Sequence, residues 1–203
     1  NEIFLNDVRI PQENVFGDVG GGWAAAVTTL MNERVALGGG VPKQGSGAIG
    51  DLVEIWKERK DSMDEISSSV MRDRITELWI QAEALRLTNW RAREGSKSGN
   101  PGPEGSVGKL MSAEMNQKIY ELCMEIIGPE ALTFEAGYER NRAEGSSFAR
   151  GSSLKYSFLR SRANTIEGGT SEVMRNILGE RVLGLPGDVR VDKEVNWVDV
   201  PGN

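Results

Sequence analysis

From Trp23 onward, apolar residues recur with the spacing of an α-helix, and clusters of glycine, proline and serine punctuate the recurrences. Trp23, Val27, Leu30 and Met31 share one face at i, i+4, i+7 and i+8, and that face continues to Val35. Gly38-Gly39-Gly40 and Pro42 interrupt it, either by kinking the helix or by letting another backbone approach closely. The pattern resumes at Ile49, Leu52, Val53, Ile55 and Trp56, and the charge-dense stretch from Lys57 to Ser69 reads as a solvated connector. A second helix is predicted over 69–94, with Ile75, Leu78, Trp79, Ala82, Leu85 and Trp90 as its buried stripe. After the Gly/Pro/Ser loop at 95–105 a third follows over 108–127, with Leu110, Met111, Met115, Ile119, Leu122, Met124 and Ile126 on its apolar side. Gly128-Pro129 ends it. Residues 134–151 are irregular and polar, with Arg140, Arg142 and Arg150, and shorter helices are expected over 152–165 and 171–183.

Long amphipathic helices joined by loops predict an all-α chain, an antiparallel up-down helical bundle. Ahead of it, Ile3, Leu5 and Ile10 read as one short β-strand stopped by Pro11, which must pair with a sheet or lie against the helices. The expected organisation is 1–19 strand and linker, 20–185 bundle, and 186–203 a tail anchored by Trp197.

Composition removes several function classes. The chain has 203 residues, enough for one domain with a sizeable core. A net charge of −6 with scattered basic residues offers no stripe for displacing counterions, so a nucleic-acid partner is not expected. There is no histidine, which removes His-based triads and the commonest metal ligand, and no metal site is expected. Cys123, the single cysteine, cannot form an internal disulfide; it sits in an apolar helical run and is expected in the core. No signal peptide and no apolar run near twenty residues is seen, so the expected location is cytoplasmic, without a membrane span.

One stretch stands apart: Thr165-Ile166-Glu167-Gly168-Gly169-Thr170-Ser171-Glu172-Val173-Met174-Arg175-Asn176. Thr170 and Ser171 are good caps for a helix whose core face would be Val173, Ile177, Leu178 and Val182. A carboxylate, a Gly-Gly turn and a capped helix start make a place where backbone N–H groups can face a ligand.

Other blocks extend the pattern. Phe4-Leu5-Asn6-Asp7-Val8-Arg9-Ile10-Pro11 is followed by Asn14-Val15-Phe16-Gly17, then Gly20-Gly21-Gly22-Trp23, then Leu30-Met31-Asn32-Glu33-Arg34-Val35. Glu180-Arg181-Val182-Leu183-Gly184-Leu185-Pro186 closes the series. In order and spacing these blocks resemble the C-terminal half of the acyl-CoA dehydrogenase family. By that resemblance the short strand is a remnant of the family's β-domain, and the chain is expected to be a fragment or truncated relative.

The resemblance implies FAD as cofactor and an acyl-CoA as substrate, with a branched or steroid-derived acyl group as a candidate. It also implies an electron-transfer flavoprotein as electron acceptor and a homo- or hetero-oligomer built as a dimer of dimers. A carboxylate base removes the α-proton of the thioester while a hydride leaves the β-carbon for the flavin. Most members carry the base directly before the Gly-Thr pair, where this chain has Gly168, one residue after Glu167. Isovaleryl-CoA dehydrogenase and its relatives carry it instead on the first helix of the domain, before an arginine; here that pair is Glu33-Arg34. The resemblance therefore makes Glu33 the first candidate base and Glu167 the second. It makes Gly168 a backbone donor to the thioester oxygen, Thr170 and Glu172 flavin contacts with Gly169 in the same loop, and Arg34 a residue that shapes the site.

The chain departs from the family at two flavin motifs. Where "R-x-x-F-G" is expected after the first helix, it reads Trp56-Lys57-Glu58-Arg59-Lys60-Asp61-Ser62-Met63-Asp64-Glu65. Where "Q-x-x-G-G-x-G" is expected, it reads Glu125-Ile126-Ile127-Gly128-Pro129-Glu130-Ala131. Residues for the flavin ring look present, and those that reach a neighbouring subunit's FAD pyrophosphate look absent. Two expectations follow: a heteromeric enzyme whose companion lends those contacts, or a non-catalytic assembly domain that completes a partner's FAD site.

Overall fold

The computed structural model describes residues 2–37, 41–96, 104–133, 153–187 and 195–200, with the backbone alone at 31–37, 96, 104 and 197. Among the described residues there are six α-helices: α1 (Gly22–Leu37), α2 (Ala48–Arg59), α3 (Glu65–Ser96), α4 (Glu104–Ile127), α5 (Leu154–Ser161) and α6 (Ser171–Arg181). They form the antiparallel bundle that the apolar spacing predicts.

α4 is its axis. It packs against α2, α3, α5 and α6 and meets α1. Its composition explains the position: apolar residues lie on several faces, so more than one neighbour is needed to cover them. Ile119, Leu122, Cys123 and Ile126 of α4 close on Ile49, Leu52 and Ile55 of α2 and on Ile75 and Leu78 of α3. Fully burying a side chain such as Leu52, Ile119 or Leu122 contributes about 1.5–3 kcal/mol, and this cluster is the main source of the bundle's stability. Cys123 lies inside it as expected, and burial pushes its thiol up to about 12.

Several boundaries move. The connector expected over 57–69 shrinks, because α2 runs to Arg59, a 3-10 turn covers Lys60–Ser62, and α3 begins at Glu65. Asp64 starts that helix: its carboxylate accepts from the Ser67 backbone N–H at 2.9 Å and the Ser67 hydroxyl at 2.6 Å. The helix predicted at 152–165 is α5 followed by a 3-10 turn at Arg162–Thr165. Gly38-Gly39-Gly40 lies outside the described residues, but the interruption around it is real: α1 ends at Leu37 and α2 starts at Ala48. The Arg140, Arg142 and Arg150 segment also lies outside the described residues, as does the side chain of Trp197.

The expected β-strand is not formed. No strand occurs among the described residues, and residues 2–21 are irregular apart from a 3-10 turn at Gln12–Asn14. A strand needs ladder partners for its N–H and C=O groups. None faces this segment, and Ile3, Phe4, Leu5, Val8 and Ile10 stand exposed rather than against the helices. Trp23, Val27 and Leu30 on α1 stand exposed too: α1 meets α4, but no described element covers this face, so spacing predicted the helix correctly but not its burial.

Candidate active site

The Gly-Gly turn sits where α5, its trailing 3-10 turn and α6 fold back on α4. Gly168 (φ +64°) and Gly169 (φ +99°) both adopt conformations that residues with a Cβ avoid. At Gly169 space is short as well, since a Cβ would lie 2.5 Å from Met174 Cε. Thr170 then caps α6, its hydroxyl accepting from the Val173 N–H at 3.3 Å. This cap sets the phase of the helix. Ser171 and Met174 become the buried positions, with Ile177 and Leu178 half-buried beside them, while Val173 and Val182 are exposed. The expected core face is thus corrected by part of a turn, because Met174 rather than Val173 points at the Gly169 backbone.

Polar contacts hold the turn from both sides. Glu167 Oε2 accepts from Arg160 at 2.8 Å and Oε1 accepts from Asn164 at 3.0 Å. The Arg160 hydrogen bond, reinforced by Asn164, holds the Glu167 carboxyl below the usual carboxylate range, although partial burial works against it. Gln117 of α4 donates to the Thr165 hydroxyl at 2.9 Å and to the Ser161 carbonyl at 3.3 Å. Lys109 of α4, almost fully buried, donates through Nζ to the Gly169 carbonyl. Burial pulls its ammonium below the usual lysine range, while the charges of Glu167 and Glu172 act in the opposite sense. Glu172 is itself held below the usual range by its own backbone N–H and by the Thr170 hydroxyl. The Ser171 hydroxyl oxygen is buried without a hydrogen-bond partner among the described residues.

Thr170, Ser171 and Glu172 line an open groove of about 560 Å³ together with Gln117 and Lys118 of α4 and Arg175 of α6. The predicted site residues from Glu167 to Glu172 are therefore one local structure. Glu33 and Arg34 fall on α1, which meets the bundle at α4, the same helix that holds the turn. Their side chains lie outside the described residues. Among the described residues no cluster of metal-ligating side chains is found, and no helix is long and apolar enough to cross a membrane.

Reasoning from sequence missed Lys109, Arg160 and Asn164. Lysine, arginine and asparagine on amphipathic helices ordinarily face water. The available signal for Lys109 was the small residues around it, since Ser106, Gly108 and Ala113 leave room for a backbone to come close.

At the two departing flavin motifs the structure supplies a geometry. Arg59 donates to Glu130 at 2.6 Å, and Arg74 makes a two-pronged contact with Glu125 at 2.5 and 2.9 Å. Both arginines are thus engaged by acids of their own chain, which do not suit a pyrophosphate. Glu125 and Glu130, each paired with an arginine of this chain, are a poor lining for a pyrophosphate.

The described structure is thus a helical bundle with a glycine turn clamped to its central helix. The family model described as acyl-CoA dehydrogenase, C-terminal domain, matches residues 20–183, and the chain belongs to the acyl-CoA dehydrogenase family. It is 32% identical to acyl-CoA dehydrogenase IpdE1 of Mycobacterium tuberculosis over 94% of this chain and 45% of that protein. It is 35% identical to acyl-CoA dehydrogenase FadE34 of the same organism over 92% of this chain and 23% of that protein. Among solved structures, the ChsE4-ChsE5 complex from Mycobacterium tuberculosis superposes with a TM-score of 0.64 and 29% identity, covering 92% of this chain and 46% of that one. A steroid acyl-CoA dehydrogenase, Tcur3481-Tcur3483, shares the fold with a TM-score of 0.62 at 22% identity. The chain spans about half the length, or less, of the relatives it matches.

Proposed function

We propose that this chain supplies the C-terminal domain of an FAD-dependent acyl-CoA dehydrogenase and that Glu33 is its catalytic base. The observation that carries this reading is the state of the competing carboxylate. Glu167 has both oxygens engaged, by Arg160 and Asn164, and its carboxyl is held below the usual range. A base that abstracts a proton α to a carbonyl works best with its pKa near the operating pH, so a carboxylate shifted downward and capped is a poor one. With glycine at 168, the remaining carboxylate of the family pattern is Glu33 on α1.

In this reading Glu33 takes the α-proton and the Gly168 N–H donates to the thioester carbonyl as charge develops on its oxygen. Arg34 orients Glu33, and Thr170 and Glu172 bind the flavin from the turn with Gly169 between them. FAD, when bound, accepts the hydride that leaves the β-carbon. The substrate is an acyl-CoA, with a branched or steroid-derived acyl group as the candidate class. The final electron acceptor is an electron-transfer flavoprotein.

The engaged arginines favour a hetero-oligomer over a homo-oligomer. Arg59 and Arg74 are tied to Glu130 and Glu125, so a companion chain lends the cationic contacts to the pyrophosphate. The ChsE4-ChsE5 structure is itself a complex of two differently named chains. The second reading is an assembly domain that completes a partner's FAD site without chemistry of its own.

Replacing Glu33 by Gln in the full-length protein, co-expressed with its companion, separates the two. The catalytic reading expects acyl-CoA to bleach the flavin at least about a hundredfold more slowly, the lower end of what a general base contributes. Unchanged bleaching with intact flavin loading would establish the assembly role instead.

A further inference from the structure

We propose that Lys109 is the positioning residue of the Gly168–Gly169 turn: its buried ammonium on α4 holds the Gly169 carbonyl toward the core and thereby fixes which way the next amide faces. This deepens the catalytic reading above and rests on it for the identity of the ligand.

Lys109 is 3% exposed, yet it lies on a helix where Glu114, Lys118, Glu121 and Glu125 reach solvent. Placing a lysine there is costly unless the ammonium is paired and hydrogen-bonded. Its partner is a backbone carbonyl 60 residues away, at the apex of the turn. Glu167 precedes the turn and Glu172 follows it, and both charges favour the ammonium form. A methionine of similar length would fill the same space without desolvating a charge, so packing alone does not account for lysine at this position.

The consequence follows from peptide geometry. Gly169 C=O and Thr170 N–H belong to one peptide group, and no peptide bond in the described chain is cis. In a trans peptide the two groups point in opposite directions. With the carbonyl drawn toward Lys109, the Thr170 N–H is turned away from it, out of the core. Two glycines at positive φ give the turn little rigidity of its own, and the side chains of Met174 and Val173 bound the space beside Gly169. Without the lysine this peptide plane is free to flip, and the donors at the start of α6 lose their fixed direction. Arg160 and Asn164 restrain the Glu167 side chain, but they do not touch the Gly169 carbonyl.

The test compares wild-type full-length protein, loaded with FAD and its companion, with Lys109→Met, Lys109→Arg and Lys109→Gln. Amide hydrogen exchange is followed in the peptide covering 167–173 and in peptides of α2 and α3. Lys109→Met should exchange about tenfold faster in the turn, with α2 and α3 essentially unchanged. Lys109→Arg, which keeps the cation and the donor, should restore most of the protection. The long-wavelength absorption band of the bound flavin should shift in Lys109→Met and not in Lys109→Arg, a readout that loss of packing alone does not move. If Lys109→Met fails to fold, Lys109→Gln is judged by the same criteria. Unchanged exchange in the turn, or an equal rise in all three helical regions, overturns the proposal. A wild-type protein whose turn is protected through Lys109 but which takes up no FAD leaves the clamp standing and removes the flavin reading instead.

Discussion

Gly45→Ala tests how tightly the break between α1 and α2 is built. Gly45 has φ +67°, and a methyl added there overlaps Trp79 Cη2 and lies 3.2 Å from Cζ3 and 3.4 Å from Cζ2. Holding an alanine in the left-handed region costs about 1–2 kcal/mol. Forcing the indole of Trp79 aside adds about 1–3 kcal/mol, the usual range for overpacking, because a rigid ring cannot yield by turning its far end. The total expected loss is about 2–5 kcal/mol. For a chain of this size it lowers the urea midpoint by about 1 M at unchanged slope. The double-mutant cycle with Trp79→Ala separates the two parts: in that background only the backbone cost remains, about 1–2 kcal/mol. Tryptophan fluorescence reports the displaced ring directly. An equal cost of Gly45→Ala in both backgrounds, or a midpoint shift near zero in the wild-type background, would refute the overlap and with it the packing of this loop on α3.

Three further outcomes are expected. Leu52→Ala, at a fully buried position, should lose about 2–5 kcal/mol in denaturant titration, an outcome that tests whether α2 belongs to the core. Cys123 should not react with a thiol reagent at pH 8 in the folded protein and should react on unfolding. Its thiol is raised from 9.0 to about 12, and Tyr120, held by burial and by Asp51, is raised from 10.0 to about 12. For acids raised in the folded state the stabilisation is complete below the unfolded values and is lost as pH rises through the folded ones, so alkaline unfolding is expected between pH 9 and pH 12. Glu130→Gln should leave the urea midpoint unmoved, because its pair with Arg59 lies largely in water; a measurable drop would show that the pair does more than neutralise an arginine.

The bundle was legible because burial leaves a 3.6-residue rhythm. Ile75, Leu78 and Leu85 on α3 and Ile119, Leu122 and Ile126 on α4 are buried where the rhythm placed them. It misled where a helix face is left uncovered, as at Trp23, and where a cap shifts the phase, as at Met174 against Val173. The cap itself was legible, since Thr170 accepts from Val173 as a threonine before an apolar-periodic segment should. Lys109 was hard to read. Only the small neighbours Ser106, Gly108 and Ala113 hint locally at a lysine that turns inward; its partner lies 60 residues downstream, in a carbonyl that only folding brings near. Likewise, Glu125 and Glu130 looked like plain losses from a motif, and only the structure shows that each disarms an arginine.

The arm ahead of α1, together with the first turn of that helix, has a practical side. Ile3, Phe4, Leu5, Phe16, Val19 and Trp23 all stand in water, and each square ångström of that surface carries about 25 cal/mol of incentive to be hidden. Handled by itself, the chain is therefore expected to cling to column matrices and vessel walls and to sediment as mixed species whose size grows with concentration. A mild detergent or an apolar shield over those six side chains is the remedy to try first at the bench.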